Sequence, residues 1–537
     1  MASFFDHVMS VSWITSITSY LAIATLAVVV YHYWQRTSGS DWARLGVKCP
    51  KLSPFYFFGD DFRKQLSNII NAYGDTVAIV TGTGQSIVTT NFDLMRHVFI
   101  KDFNNFVDRS DGLTSNSPFA KSLFFAKGNS WRRHRQIVSP TFTSGKLRHI
   151  AKTIEKSAQA LGNYLEAAAR AGTTVAIKDA TGRFSCEVIA KTGFGLNVNF
   201  IGQKDPEFFN YAKSMLATNL GIRRIIIQTM ILISPSLLKI FNKVFKSIQL
   251  FEPIDLDADK YFKTILDATV ADRRKLQHSD RKSVDFLDLL LKANEAVKQG
   301  KLEQVDEDEP DAGSWRSGSD IKELTDDEIL GHSMLVIFAG LETTATALQM
   351  CLYVLASHPD IQDRVYEEIT RVVQGENPTP EELNSLTYTE MTVNETLRLY
   401  PPVPIVTRKA KDTRTYNGVT IPKGTLVQIP FFHILKDHRI WPESDQFRPE
   451  RFDPEEKQKR DPLAFVCFGH GPRICLGMRL AYLELKIALV YILRRVKVIL
   501  NEETEPKKGG DGVKFTPQGL LTPEQPIRLA FELRGKS

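Results

Sequence analysis

The stretch FGHGPRICLG, residues 468–477, constrains this chain more than any other. Gly469, Gly471 and Gly477 crowd around one cysteine, Cys475, and an apolar helical pattern over 476–493 follows at once. Glycine tolerates positive φ and lets backbone approach a flat ligand closely. These glycines do not open a dinucleotide loop, because Ile474 stands where G-x-G-x-x-G needs its last glycine. A helix starting just after Cys475 sets free N–H groups and its positive dipole end beside the sulfur. Both favour thiolate over thiol. Such a thiolate suits a nucleophile or a metal ligand. A nucleophile wants a base, for which His470 is the near candidate. A ligand wants a dry shell, which Phe468, Ile474 and Leu476 offer. The third reading is a buried thiol packed as a small apolar group.

The remaining cysteines, Cys49, Cys186, Cys351 and Cys467, are scattered, the total of five is odd, and no C-x-x-C occurs. That argues against a disulfide framework or structural zinc and fits a reducing compartment. The net charge of +6 is small for 537 residues and carries no signature of nucleic-acid binding.

The N-terminus reads as a membrane anchor. Residues 11–34, VSWITSITSYLAIATLAVVVYHYW, contain no Lys, Arg, Asp or Glu and are long enough to cross a bilayer. Trp13, Tyr31, Tyr33 and Trp34 lie near the ends, where amphipathic rings suit the interface. A cleaved signal would want positive charge beforehand, and Arg36, Arg44 and Lys48 come afterwards instead. The positive-inside rule then keeps the rest of the chain cytosolic. The expected division is an anchor at 1–35, a tether at 36–60 and one domain at 61–537.

That domain reads as mainly α with a minor β part. TVAIVTGTGQSIVTT (76–90) predicts a β-hairpin about Gly82-Thr83-Gly84. Residues 132–302 are mostly helical in pattern. Within them, the apolar run 222–241 is broken by Arg223, Arg224 and Pro235; it reads as core or as a surface dipping into lipid. The acidic stretch 304–320 reads as a solvated loop. Helical patterns follow over 326–358, 360–374 and 388–399, the last ending at Pro401-Pro402.

Three further motifs stand out. ETLR sets Glu395 and Arg398 on one helical face, though EITR (368–371) matches the same spacing. FAGLETT (338–344) places Glu342, Thr343 and Thr344 inside an otherwise apolar helix, with Gly340 weakening it. WRRHRQ gives Trp131 and three arginines, of which Arg132 and Arg133 read as a basic exposed face.

Taken in order, these pieces resemble the cytochrome P450 family, in particular its microsomal drug- and xenobiotic-metabolising and thromboxane-synthase-like group. FGHGPRICLG is similar to the haem loop F-x-x-G-x-x-x-C-x-G, on Phe468, Gly471, Cys475 and Gly477. FAGLETT resembles the oxygen-activation motif, and WRRHRQ the W-x-x-x-R pattern. ETLR with the downstream FRPERF resembles a buried Glu395–Arg398–Arg451 network. SPTFTSGKL (139–147) is similar to the same group.

The resemblance implies a P450 fold behind one transmembrane helix, and haem b with iron ligated by the Cys475 thiolate, whose donation favours O–O cleavage. It implies that Trp131, Arg135, Arg408 and Arg473 pair with the haem propionates, and that Gly471 and Gly477 let backbone lie close to the porphyrin. It further implies that Thr343, with Glu342 beside it, supplies protons during dioxygen activation. The implied activity is insertion of one oxygen atom into a lipophilic substrate, with the other leaving as water. Electrons would come from NADPH through NADPH–cytochrome P450 reductase, with cytochrome b5 as a further partner, at the endoplasmic reticulum membrane. By resemblance, residues 115–125, 338–343, 403–406 and the turn at Leu520-Leu521 line the substrate cavity. Two rivals are an isomerase of a lipid peroxide, which Thr343 disfavours, and a non-catalytic membrane haem or lipid binder, which has no need of the Glu342-Thr343 pair.

Overall fold

A computed structural model describes residues 25–26, 29–30, 41–52, 61–81, 84–110, 117–204, 206–216, 254–275, 285–301, 321–504, 512–516 and 519–535. Nearly all of the expected anchor (11–34), the apolar run 222–241 and the acidic stretch 304–320 lie outside the described residues.

The principal helices in chain order are α1 (Phe62–Tyr73), α2 (Gly128–Val138), α3 (Ser144–Ala171), α4 (Ile177–Phe194) and α5 (Glu207–Leu216). They continue with α6 (Leu256–Lys275), α7 (Phe286–Lys298), α8 (Asp326–Ser357), α9 (Pro359–Val372), α10 (Thr387–Leu399) and α11 (Met478–Leu493). The fold is mainly helical with a minor sheet part, as expected. α8 is its axis. A capping box starts it: Glu328 N donates to Thr325 Oγ1 at 3.3 Å and Thr325 N to Glu328 Oε2 at 2.9 Å. Asp326, Asp327 and Glu328 add negative charge where the helix dipole favours it. The helix stops at His358, before Pro359. α8 alone among the described helices is long and apolar enough to cross a membrane. It is the core helix instead, because α4 packs along it and most of its second half is buried.

The strands are β1 (Thr76–Thr81), β2 (Gly84–Thr89), β3 (Val175–Ala176), β4 (Val406–Lys409), β5 (Arg414–Tyr416), β6 (Val419–Ile421), β7 (Leu426–Ile429), β8 (Val496–Ile499) and β9 (Arg528–Leu533). One sheet runs β1-β2-β7-β4 and another β3-β9-β8. The β1–β2 hairpin is present, in register from Thr76↔Thr89 to Thr81↔Gly84. A second hairpin joins β5 to β6 through Asn417 and Gly418, at φ 47 and 83. Asn-Gly favours the left-handed conformation that such a two-residue turn requires.

Part of the expected tether is packed against the sheet region. Trp42, Val47 and Leu52 are buried. Ala78 N of β1 donates to Lys48 O at 2.8 Å, and Thr420 N to Leu45 O at 2.8 Å. Apolar side chains at Trp42 and Val47 gain more from joining the sheet's core cluster than from water.

Candidate active site

The cysteine loop closes on itself through backbone. Gly469 N donates to Val466 O at 2.8 Å, Ile474 N to Gly471 O at 2.9 Å and Cys475 N to Phe468 O at 3.0 Å. Phe468 packs against Tyr482 of α11, ring centres 5.4 Å apart and planes tilted by 45°. Gly471 has φ +67, and a Cβ there would stand 1.9 Å from Phe99 O. Packing against protein backbone therefore already requires a glycine here. Gly477 differs: its φ is −84, and an added Cβ would meet no protein atom within 4 Å. Its open side is the one a flat ligand could use.

α11 begins at Met478 with Gly477 as its cap, two residues later than the periodicity implied. Cys475 is exposed, yet protein atoms surround it deeply, so its sulfur faces interior space. Burial pushes its thiol up, against the Gly477 N–H, Arg135 and Arg109, which favour thiolate. The Gly477 N–H at the helix start thus acts in the direction expected, favouring thiolate against burial. Burial also raises Cys467, with Cys475 adding to the effect, which fits a packed thiol.

Four guanidinium groups gather beside the loop, and two of them, Arg135 and Arg109, act on its sulfur. Arg135 on α2, Arg408 on β4 and Arg473 in the loop are each buried. Arg109 joins them from the loop before α2, its guanidinium 4.0 Å over the Phe124 ring. Arg135 Nη1 donates to Ile474 O at 3.0 Å, Arg473 Nη2 to Ala126 O at 2.6 Å and Arg408 Nη1 to Thr407 O at 3.0 Å. Trp131 is buried under Arg473, 4.7 Å from its ring centre. Burial lowers Arg408 and Arg473 well below the usual range, and neighbouring arginines add to it. Arg109 falls to about 10, chiefly by burial. The Nε atoms of Arg109, Arg408 and Arg473 have no hydrogen-bond partner among the described residues. Crowded, desolvated cations of this kind are costly unless anionic groups join them.

α8 presents one stripe to the same region. Leu335 and Leu476 pack against the same cluster of Phe103, Val107, Leu123 and Trp131. One and two turns on lie Ala339 and Thr343. Ala339 is exposed although this helix is the core, so the stripe borders interior space. Thr343 Oγ1 donates to Ala339 O at 2.6 Å. Gly340 faces the other way, where a Cβ would meet Ile189 Cδ1 at 2.4 Å. Glu342 pairs with Lys178 of α4, whose Nζ also reaches Thr346 Oγ1 at 2.9 Å.

The chain matches the family model described as Cytochrome P450 over residues 54–531. The chain belongs to the cytochrome P450 family. It is 33% identical to Cytochrome P450 3A41 of Mus musculus over 524 residues, 96% of each chain. It is 32% identical to Cytochrome P450 3A11 of Mus musculus over the same length and shares. Lithocholate 6-beta-hydroxylase of Mesocricetus auratus is 31% identical over 530 residues, 97% of this chain and 98% of that one. This cytochrome P450 is thus an oxidoreductase of the monooxygenase type. Family membership implies haem with cysteine thiolate ligation. The residues fit that group: a thiol facing interior space, a cradle open at Gly477, and buried guanidiniums suited to carboxylates.

The Glu395, Arg398 and Arg451 side chains come together in the P450 core. Arg398 meets Glu395 through two bonds, Nε–Oε2 at 2.7 Å and Nη2–Oε1 at 2.9 Å, and both residues are buried. Arg451 Nε lies 3.3 Å from Glu395 Oε1. Arg398 Nη1 also donates to Leu435 O at 2.8 Å, and Arg448 N to Glu395 Oε1 at 2.9 Å. Among the described residues the rival EITR motif holds no ion pair; buried Glu368 accepts from Tyr388 N, Thr389 N and Thr389 Oγ1 at 2.7 Å each.

Of the four stretches expected around a substrate, 117–125 meets α8 through Phe119 and Phe338, ring centres 5.1 Å apart. Leu521 N donates to Pro402 O at 2.9 Å, and Thr522 Oγ1 lies 3.5 Å from Glu342 Oε1. That brings the C-terminal turn to the 402–406 segment and to α8. Residues 111–116 lie outside the described residues.

Arg133 corrects the sequence reading. It is not a free basic surface group, because it pairs with Glu328 and donates to Glu323 O at 2.7 Å. Arg132 remains at the surface, bonded to Asn104. Sequence reasoning also missed Arg109 and Lys178. Neither lies in a motif: one is a lone arginine in a loop, the other sits in the first turn of α4.

Proposed function

We propose that this P450 inserts one atom of dioxygen into a lipophilic substrate, at the cytosolic face of the endoplasmic reticulum membrane, behind an N-terminal anchor at 1–35. The expected balance is substrate, dioxygen, two electrons and two protons giving hydroxylated product and water. NADPH supplies the electrons through a separate reductase, with cytochrome b5 as a second donor. The observation that carries the reading is the cluster of buried guanidiniums about a cysteine that faces interior space.

Cys475 is the proposed iron ligand, with the loop from Phe468 to Gly477 as its frame. Arg109, Arg135, Arg408 and Arg473, with Trp131, hold the propionates and relieve the charge crowding among themselves. Bound haem supplies dioxygen activation, which thiolate ligation favours. Thr343 presents its hydroxyl on the stripe that borders the interior space. Glu342 is its acidic neighbour, and Lys178 holds that carboxylate in place. Phe119, Phe125 and Phe338 exclude water and favour an apolar substrate. The membership of a lithocholate hydroxylase among the relatives supports sterols as the first class to screen.

A carbon monoxide difference spectrum of the reduced protein tests the centre. The Soret band should stand at the thiolate position and vanish in Cys475→Ala; an imidazole-type band would refute the assignment. Reconstitution with reductase should then consume NADPH and dioxygen in step with product.

A further inference from the structure

The segment 117–125 is seated on α8 by contacts that belong to this chain's own residues. Gly331 lets it come close: a Cβ there would stand 2.3 Å from Pro118 O. One residue on, His332 Nδ1 accepts a hydrogen bond from Leu123 N at 3.2 Å. A backbone N–H can only donate, so Nδ1 carries a lone pair and the ring proton sits on Nε2. Burial, with His134 beside it, pushes the His332 imidazolium down to about 3, which keeps the ring neutral and the acceptor available. Nε2 has no hydrogen-bond partner among the described residues, so packing alone holds the rest of the ring. His134 of α2 meets it edge-to-face, centres 4.9 Å apart at 83°. His134 Nε2 in turn lies 3.0 Å from Glu328 Oε1, the carboxylate that caps α8.

We infer that His332 is a specificity-positioning residue: by accepting the Leu123 amide it holds the Phe119–Phe124–Phe125 aromatic group against Phe338 over the substrate space. The inference rests on the proposed substrate lining. Phe119 and Phe125 lie 5.3 Å apart, Phe124 and Phe125 4.9 Å, and Phe119 and Phe338 5.1 Å. Leu123 lies between Phe119 and Phe124 in the chain, so its N–H anchors the backbone that carries these rings. Losing its acceptor strands a buried donor, which favours release of the segment. His332 does not touch the reacting centre, so its effect is on which ligands fit.

The test uses the full-length holoprotein in three forms: wild type, His332→Leu, which removes the acceptor, and His332→Asn, whose amide oxygen can replace Nδ1. Hydrogen exchange at the Leu123 amide reads the anchor directly. Wild type should be protected, Leu should exchange about tenfold faster, and Asn should restore protection. Imidazole and 4-phenylimidazole read the substrate space. Both ligate iron alike, and the phenyl group adds contact with the aromatic rings. The wild-type preference for the phenyl compound should fall about tenfold in Leu and return in Asn. An unprotected Leu123 amide in wild type would overturn the inference even if Leu failed to fold. Equal impairment of Asn and Leu would overturn it too, since bulk packing would then be the cause. Faster exchange with unchanged ligand preference would remove the specificity role. Failure of the underlying P450 reading would look different, as absence of the thiolate band in wild type.

Discussion

Removing the Glu395 charge strands two arginines. Its carboxylate takes two bonds from Arg398, one from Arg448 N, and stands 3.3 Å from Arg451 Nε, with all three side chains buried. Arg398 keeps its bonds to Leu435 O and Gln446 O, so its hydrogen bonding is only partly lost. Its charge is not offset at all. Breaking a buried pair by removing one partner costs about 3–5 kcal/mol. Against a total of roughly 5–15 kcal/mol for a folded protein, that is a large share. Glu395→Gln keeps the shape and one acceptor, and should lose about 3 kcal/mol; Glu395→Ala should lose more. Arg398→Lys keeps the charge but not the two-pronged geometry, and should fall between wild type and Ala. Urea unfolding followed by circular dichroism, in parallel with the carbon monoxide band, measures this. A Glu395→Ala midpoint equal to wild type would refute the claim that the network is a charge-balanced core element.

The cysteine loop offers a paired test. Gly471→Ala combines positive φ with a 1.9 Å clash and should abolish soluble folded protein, whereas Gly477→Ala should fold normally and bind haem less well. Expression yield, melting temperature and pyridine haemochrome content separate the two. Lys178→Met should release Glu342 and lower product formed per NADPH consumed about tenfold, with peroxide rising and the thiolate band intact. His332 sets a pH dependence. Its folded-state acidity lies near 3, below the usual 6.5 of an unfolded histidine, so the unfolded chain binds a proton that the folded one refuses. Stability contributed by the neutral ring is fully present above about pH 6.5 and falls as pH drops, by about 1.4 kcal/mol per unit. His332→Asn should flatten the stability profile between about pH 6.5 and 4, measured by urea midpoints.

Local chemistry was legible wherever it was written into neighbouring residues. The Gly82-Thr83-Gly84 hairpin, the proline stop at Pro401-Pro402 and the glycines about Cys475 act over a few residues, so spacing alone reveals them. The Glu395–Arg398 pair was legible for the same reason, being one helical turn apart. Arg133 was misread because its partner, Glu328, lies 195 positions away. The close approach of Phe99 to Gly471 was not legible, because the two lie far apart in the chain. Arg109 carried no local signal at all.

The sequence by itself determined that the chain carries a thiol in a glycine-framed loop ahead of a helix, a polar Glu-Thr step within an apolar helix, and an uncharged N-terminal stretch long enough to span a bilayer. Periodicity and steric limits decide those, and they depend on adjacent residues. Only the tertiary structure decided which cations share the space around Cys475, that Lys178 holds Glu342, and that His332 carries the Leu123 amide. Those depend on burial and on charges brought together across hundreds of positions, where desolvation makes each pairing far more consequential than it would be in water.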